Sequence, residues 1–266
     1  MISRVIITLF FAASSFFANA VTEESVNGES FISYDDLRQL VVRGNVNVIM
    51  GGDSHLNVIE YDPEQVVVKR LPGDVFDLSP TSPKSKATPT VVVRSNERFK
   101  HLFQISVREQ SSLLAKDIES LSLAVDVKTS GSVMMEGVMN LNHLNIIESN
   151  EVEIFWIDSP HLDISIEKGE VILAGRTGFL TLQGRGDADV DAAGLIAKRS
   201  WVSGVDNAKI AVFPTDELFA YTKDNSIVDV KQKPYVYAPV NQAPSTVVLN
   251  YVEMERRAAA LLRRDN

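Results

Sequence analysis

The densest group of chemistry-bearing side chains in the sequence is Asp187, Asp189 and Asp191, alternating with Ala188, Val190 and Ala192. Residues two apart on a strand share one face, so the three carboxylates point the same way. Such a row could offer oxygen ligands to calcium, or an acid pair for hydrolysis of a sugar linkage. The competing reading is a solvated strand face whose charges discourage aggregation. That reading is preferred, because one strand rarely supplies a full calcium ligand set. The four histidines, His55, His101, His143 and His161, lack metal-ligand spacing. His143 and His161 directly precede Leu144 and Leu162, which suits stacking at a repeated corner. Gly184 and Gly186 precede neither a helical pattern nor a P-loop lysine and read as turn residues. There is no Gly-x-Ser-x-Gly elbow and no cysteine nucleophile. No catalytic residue, metal site or cofactor is assigned, and the chain reads as a protein that is not an enzyme.

A second signal is apolar. If Val152, Ile154 and Trp156 face inward on a strand, Phe155 and Ile157 face outward. Outward aromatic and aliphatic groups on a flat flank are contacts for a glycan or a protein. A one-residue slip would exchange the two faces. Trp201 and Tyr221 fall further along the chain. The candidate binding set is therefore Phe155, Ile157, Asp187, Asp189 and Asp191.

The elements that must position these residues are strands. Leu40, Val42, Val46, Val48 and Met50 alternate with polar residues, and the β-branched content favours strand over helix. Residues 72–89 carry Pro72, Pro80, Pro83 and Pro89 and predict a long exposed loop. Further on, a turn residue, a second residue and an apolar residue recur. The instances are Gly131-Ser132-Val133, Asn150-Glu151-Val152, Gly169-Glu170-Val171, Gly186-Asp187-Ala188, Asp206-Asn207-Ala208 and Asn225-Ser226-Ile227. Subtracting the turn-residue numbers gives intervals of 19, 19, 17, 20 and 19. A second column runs through Leu121/Leu123, Leu144/Ile146, Leu162/Ile164, Leu180/Leu182 and Leu218/Ala220. Two in-phase columns with a steady interval predict stacked coils, since one coil cannot bury its apolar face alone.

The termini set the compartment and the boundaries. Residues 1–20 hold Arg4, an apolar run from Val5 to Phe17, and Ala18-Asn19-Ala20, which reads as a signal peptide cleaved after Ala20. The expected location is the periplasm, the cell surface or the medium. No later apolar run is long enough to span a membrane. Residues 21–30 read as a flexible lead-in, 31–234 as the solenoid, 235–246 as a linker, and 247–266 as a helical tail with Val248, Tyr251, Val252, Ala259 and Leu262 on a rough stripe. The formal net charge of −9 and pI near 5.0 argue against nucleic acid, which needs a basic surface. With no cysteine, an exported chain must be held by its core alone.

The segment Leu37-Arg38-Gln39-Leu40-Val41-Val42-Arg43-Gly44-Asn45-Val46-Asn47-Val48 resembles the opening of the GIN-domain family, an adhesin-head family associated with auto-transporters. Gln183-Gly184-Arg185-Gly186-Asp187-Ala188 and Val202-Ser203-Gly204-Val205-Asp206-Asn207-Ala208 resemble that family's later turns, and 221–234 its last coil. The resemblance spans about 31–234 and implies an all-β, right-handed parallel β-helix-like solenoid, to which the tail adds a short C-terminal helix. It implies little about function, since fold does not fix function. The leading expectation is an exported, non-catalytic binding or adhesin-like module with a protein or glycan partner. The alternatives are a polysaccharide-active enzyme built on the Asp187–Asp191 row, and a periplasmic accessory protein that recruits a partner through its tail.

Overall fold

The computed structural model describes residues 23–26, 29–52, 54–82 and 87–249. The signal segment 1–20 and the tail from 250 onward lie outside the described residues. Within them the chain is all-β, a solenoid of about seven turns, and no helix is long and apolar enough to cross a membrane.

The N-terminal part contains β1 (Glu23–Val26), β2 (Glu29–Ser33), β3 (Gln39–Val42), β4 (Asn47–Gly51), β5 (Val58–Tyr61), β6 (Val66–Leu71), β7 (Val75–Pro80) and β8 (Thr90–Arg94). The coils continue through β9 (Gln104–Glu109), β10 (Ser112–Lys116), β11 (Leu123–Thr129), β12 (Ser132–Met139) and β13 (Leu141–Glu148). They end with β14 (Glu151–Gly204), β15 (Lys209–Thr222), β16 (Ile227–Val230), β17 (Val236–Asn241) and β18 (Thr246–Leu249). Two parallel ladders run the length of the molecule. One passes through β7, β3, β9, β11, β13, β14, β15 and β17. The other passes through β8, β4, β10, β12 and β14, and continues from β15 to β16 and β18.

Alternation decides what each ladder buries. Val48, Leu113, Val133 and Val152 sit in register and are all buried. Val42, Val107 and Val127 form a matching column on the other ladder. Each such side chain contributes about 1.5–3 kcal/mol when fully buried, which is how coils adhere without a disulfide. Polar corners are satisfied between coils. The hydroxyls of Ser120, Thr129, Ser159 and Ser226 donate to the carbonyls of Leu102, Ser111, Leu141 and Gly204 at 2.6–2.8 Å. Each carbonyl lies about one coil earlier, so the buried groups stitch neighbours together.

Several expectations need correction. Residues 72–89 are not one exposed loop. β7 lies inside them, pairs with β6 and β3, and buries Phe76 and Leu78. Those two apolar residues outweigh the flanking prolines, and Pro80 closes the strand instead of breaking it. The lead-in contains β1, paired antiparallel with β2. The linker contains β17, paired with β15. The helical tail is unsupported: its first described residues belong to β18, which pairs with β16 because Val247 and Leu249 continue the inward alternation. In the last repeat Ser226 is buried and Ile227 faces out, opposite Lys209, one position later than the repeat implies. Leu121 is likewise exposed, and the inward column starts at Leu123.

Two glycines mark a corner where coils touch through backbone. A Cβ at Gly137 would lie 2.2 Å from the Ile118 carbonyl oxygen, and one at Gly175 would lie 2.2 Å from that of Ile157. Both residues have positive φ, +147° and +139°. Gly175→Ala is expected to cost roughly 2–3 kcal/mol, because backbone must shift between stacked coils. Gly73→Ala has positive φ but open space around it, and is expected to cost about 1 kcal/mol. Urea unfolding of the two variants checks the order.

Candidate functional site

The acidic row folds as the alternation predicts, with Asp187, Asp189 and Asp191 exposed on one face. Each carboxylate has a local task. Asp187 accepts a hydrogen bond from the Asn207 amide at 3.0 Å, Asp189 sits 4.0 Å from the Lys209 ammonium, and Asp191 accepts from the backbone N–H of Ala193 at 3.0 Å. These are coil-to-coil and turn contacts. Among the described residues no three His, Asp or Glu side chains gather as a metal-holding group.

The Phe155–Ile157 segment differs from its expected orientation. Phe155 is half-buried, Trp156 is 69% exposed, and Ile157 is buried in the core. The cause is a register shift opposite Glu136 and Met139, together with φ of +67° at Trp156. A positive φ at a bulky residue is a strained conformation. It turns the indole outward and returns Ile157 to the core opposite Met139. Ile157 is therefore removed from the candidate contacts. Beyond Trp156, Arg176 grips Asp158 through two hydrogen bonds, Nε to Oδ1 at 2.9 Å and Nη2 to Oδ2 at 2.7 Å.

The most organised outward feature lies on the other ladder. His161, Phe179, Trp201 and Phe219 form a continuous column of rings. His161 stacks on Phe179 at 5.1 Å and 17°, Phe179 meets Trp201 at 5.8 Å, and Trp201 meets Phe219 at 6.0 Å, the last two edge to face. These separations fall in the favourable range for aromatic pairs. The Arg199 guanidinium lies 5.3 Å from the Phe179 ring centre, a cation–π contact that covers one ring. Trp201 is 56% exposed and Phe219 is 43% exposed, each flanked in sequence by buried residues. Strand alternation therefore holds both rings outward on a fixed backbone. A second column, Ser203, Tyr221 and Val240, runs beside them in register. Between the columns is an open cleft of about 350 Å³, lined by Trp201, Phe219, Tyr221 and Val240, with Thr181, Gln183 and Ser203 as polar groups.

Trp201 and Tyr221 were visible in the sequence as aromatics on later coils, whereas Phe179 and Phe219 were missed. A signal existed: His161-Leu162, Phe179-Leu180, Trp201-Val202 and Phe219-Ala220 each place a ring before an inward aliphatic residue. Their intervals of 18, 22 and 18, by subtraction, hide the column because register shifts lengthen one coil.

No protein-family model matches the chain, and no curated protein matches it in sequence. Solved structures do match in shape. One, from Parabacteroides distasonis and described as a "putative lipid binding protein", has a TM-score of 0.65 at 15% identity, covering 83% of this chain and 96% of that one. A "putative adhesin" from Bacteroides fragilis has a TM-score of 0.51 at 14% identity, covering 86% and 97%. A "putative adhesin" from Parabacteroides merdae has 0.52 at 16%, covering 82% and 94%. The chain shares their fold. At these identities the likeness extends to architecture and not to ligand.

The Arg176 grip has a measurable consequence. Its hydrogen bonds and charge hold the Asp158 carboxyl below its ordinary value. A folded-state value below the unfolded one gives stabilisation that is present above the unfolded pKa and lost as pH falls through the folded pKa. Carbon-detected NMR titration is expected to place the Asp158 midpoint below the ordinary aspartate range, and Arg176→Ala to raise it back toward that range.

Proposed function

We propose that this chain is an exported, non-catalytic, adhesin-like binding module of the GIN-domain type, and that its aromatic flank holds an extended neutral glycan. The observation that carries this reading is the outward ring column from His161 to Phe219 beside a cleft with polar groups. Sugar rings present apolar C–H faces and a rim of hydroxyls. Exposed rings such as Trp201 suit the former, and Thr181, Gln183 and Ser203 suit the latter. Successive coils repeat about every 4.8 Å, so a polymer lying along the axis meets a similar group at each step. The net charge of −9 disfavours an anionic polymer. The signal-peptide pattern of residues 1–20 supports export. The adhesin descriptions of two fold neighbours agree with the reading.

The enzyme alternative is disfavoured because Asp187, Asp189 and Asp191 are engaged in contacts between and within coils. Recruitment through the tail concerns residues that, from 250 onward, lie outside the described ones.

The test is retention on a panel of neutral polysaccharides, followed by affinity measurement on the best binder. Trp201→Ala and Phe219→Ala are each expected to weaken binding about tenfold with folding intact, the equivalent of roughly 1.4 kcal/mol. Trp156→Ala, on another flank, is expected to leave affinity unchanged. Capture by phospholipid vesicles in place of polysaccharide, or dependence on Trp156 and not Trp201, would contradict the reading.

A further inference from the structure

The second ladder carries an outward stripe that the ring column does not use. Val92, Ile49, Leu114 and Met134 sit in register on β8, β4, β10 and β12. On their strands they lie between the buried pairs Val91 and Val93, Val48 and Met50, Leu113 and Ala115, and Val133 and Met135. Alternation therefore turns all four side chains outward. Ile49 is 41% exposed and the other three are half-buried. A contiguous outward apolar patch marks a contact surface, where scattered apolar groups do not. The stripe has sharp ends, because the same column holds Glu60 beyond Val92 and Glu153 beyond Met134.

The columns beside the stripe are polar and ordered. Two residues to one side along the strands are Thr90, Asn47, Ser112 and Ser132. Two residues to the other side are Arg94, Gly51, Lys116 and Glu136, basic at one end and acidic at the other. Arg94 engages Glu60 through Nε at 2.9 Å, a contact that lets its two terminal nitrogens reach a second carboxylate.

We propose that this stripe is the contact between two copies of the chain, packed face to face and antiparallel. The two-fold axis runs along the strands, midway between β4 and β10. An isologous contact must be complementary to itself, and this one is. Ile49 meets Leu114 of the second copy, and Val92 meets its Met134. The same operation sets Arg94 opposite Glu136, Asn47 opposite Ser112, and Thr90 opposite Ser132. Lys116 falls opposite Gly51, which has no side chain to obstruct it. An axis along the stripe would instead set Arg94 opposite Thr90 and Glu136 opposite Ser132, with neither charge paired. Charge complementarity thus selects the antiparallel arrangement. Glu60 and Glu153 oppose each other only at the margins, where water screens them. Four strands about 4.8 Å apart and five residues long give a face of roughly 19 by 17 Å. That is at the small end for a specific contact, so the dimer is weak and concentration-dependent. The contact lies on the other ladder from the ring column, so it stands or falls apart from the glycan reading.

The test is sedimentation of the full chain over a concentration series. A monomer–dimer equilibrium is expected, with a midpoint between about 1 and 100 μM. Leu114→Glu is expected to weaken it at least about tenfold. Arg94→Glu and Glu136→Arg each set like charges opposite one another twice per dimer, and each is expected to weaken it about tenfold. An equal mixture of those two variants is expected to regain the dimer, because the mixed pair sets opposite charges at both positions. Circular dichroism checks that each variant is folded. Leu114→Glu and Glu136→Arg leave the Arg94–Glu60 contact in place and keep the proposal testable if Arg94→Glu does not fold. A full chain that stays monomeric at about 1 mM would overturn the proposal. So would a dimer indifferent to Leu114→Glu, whose contact must lie elsewhere. A mixture no stronger than either charge variant alone would overturn the antiparallel pairing.

Discussion

The structure depends on register between coils. A parallel ladder pairs each residue with one neighbour above and one below, and alternation then assigns every side chain to the core or to water. Slip by one residue would exchange the faces, placing Trp201 and Phe219 inside and Val202 and Ala220 outside. The apolar columns prevent this, because Val133–Val152 and Leu144–Ile164 can be buried together only in the observed pairing. The core therefore does more than stabilise. It fixes the outward columns, and with them the spacing of the aromatic rings.

Departures from regular alternation occur at corners, where backbone torsion outweighs side-chain preference. Gly137 and Gly175 allow coils to approach through their carbonyls. Trp156 occupies a left-handed conformation nearby and turns outward at the expense of backbone strain. These corner residues explain why coil lengths vary while the ladders stay in register.

The stacked architecture was legible in the sequence because burial imposes a repeat on the apolar positions. Val133, Val152 and Val171 could be read directly. Three features were hidden, each for a physical reason. Phe76 and Leu78 lie among prolines, so turn chemistry masked a short buried strand. Ile157 was assigned to the wrong face because a positive φ at Trp156 interrupts the period of two. The ring column escaped because outward positions carry no burial constraint, and an uneven coil spread Phe179 and Trp201 further apart than their neighbours. The acidic row was placed on the correct face, but only the structure shows that its carboxylates are engaged by Asn207, Lys209 and Ala193.

The claim on which all this rests is the pairing that sets the outward columns side by side, and the absence of native cysteines makes it directly measurable. Ser203 and Tyr221 are register partners on adjacent coils. Their Cα atoms are therefore about 4.8 Å apart, within the range a disulfide can bridge. The double variant Ser203→Cys/Tyr221→Cys is expected to form an intramolecular disulfide under mild oxidation, while Ser203→Cys/Lys223→Cys stays reduced. Efficient bridging in the second pair and none in the first would mean that the coils are displaced by two residues, and the aromatic column would not exist as described.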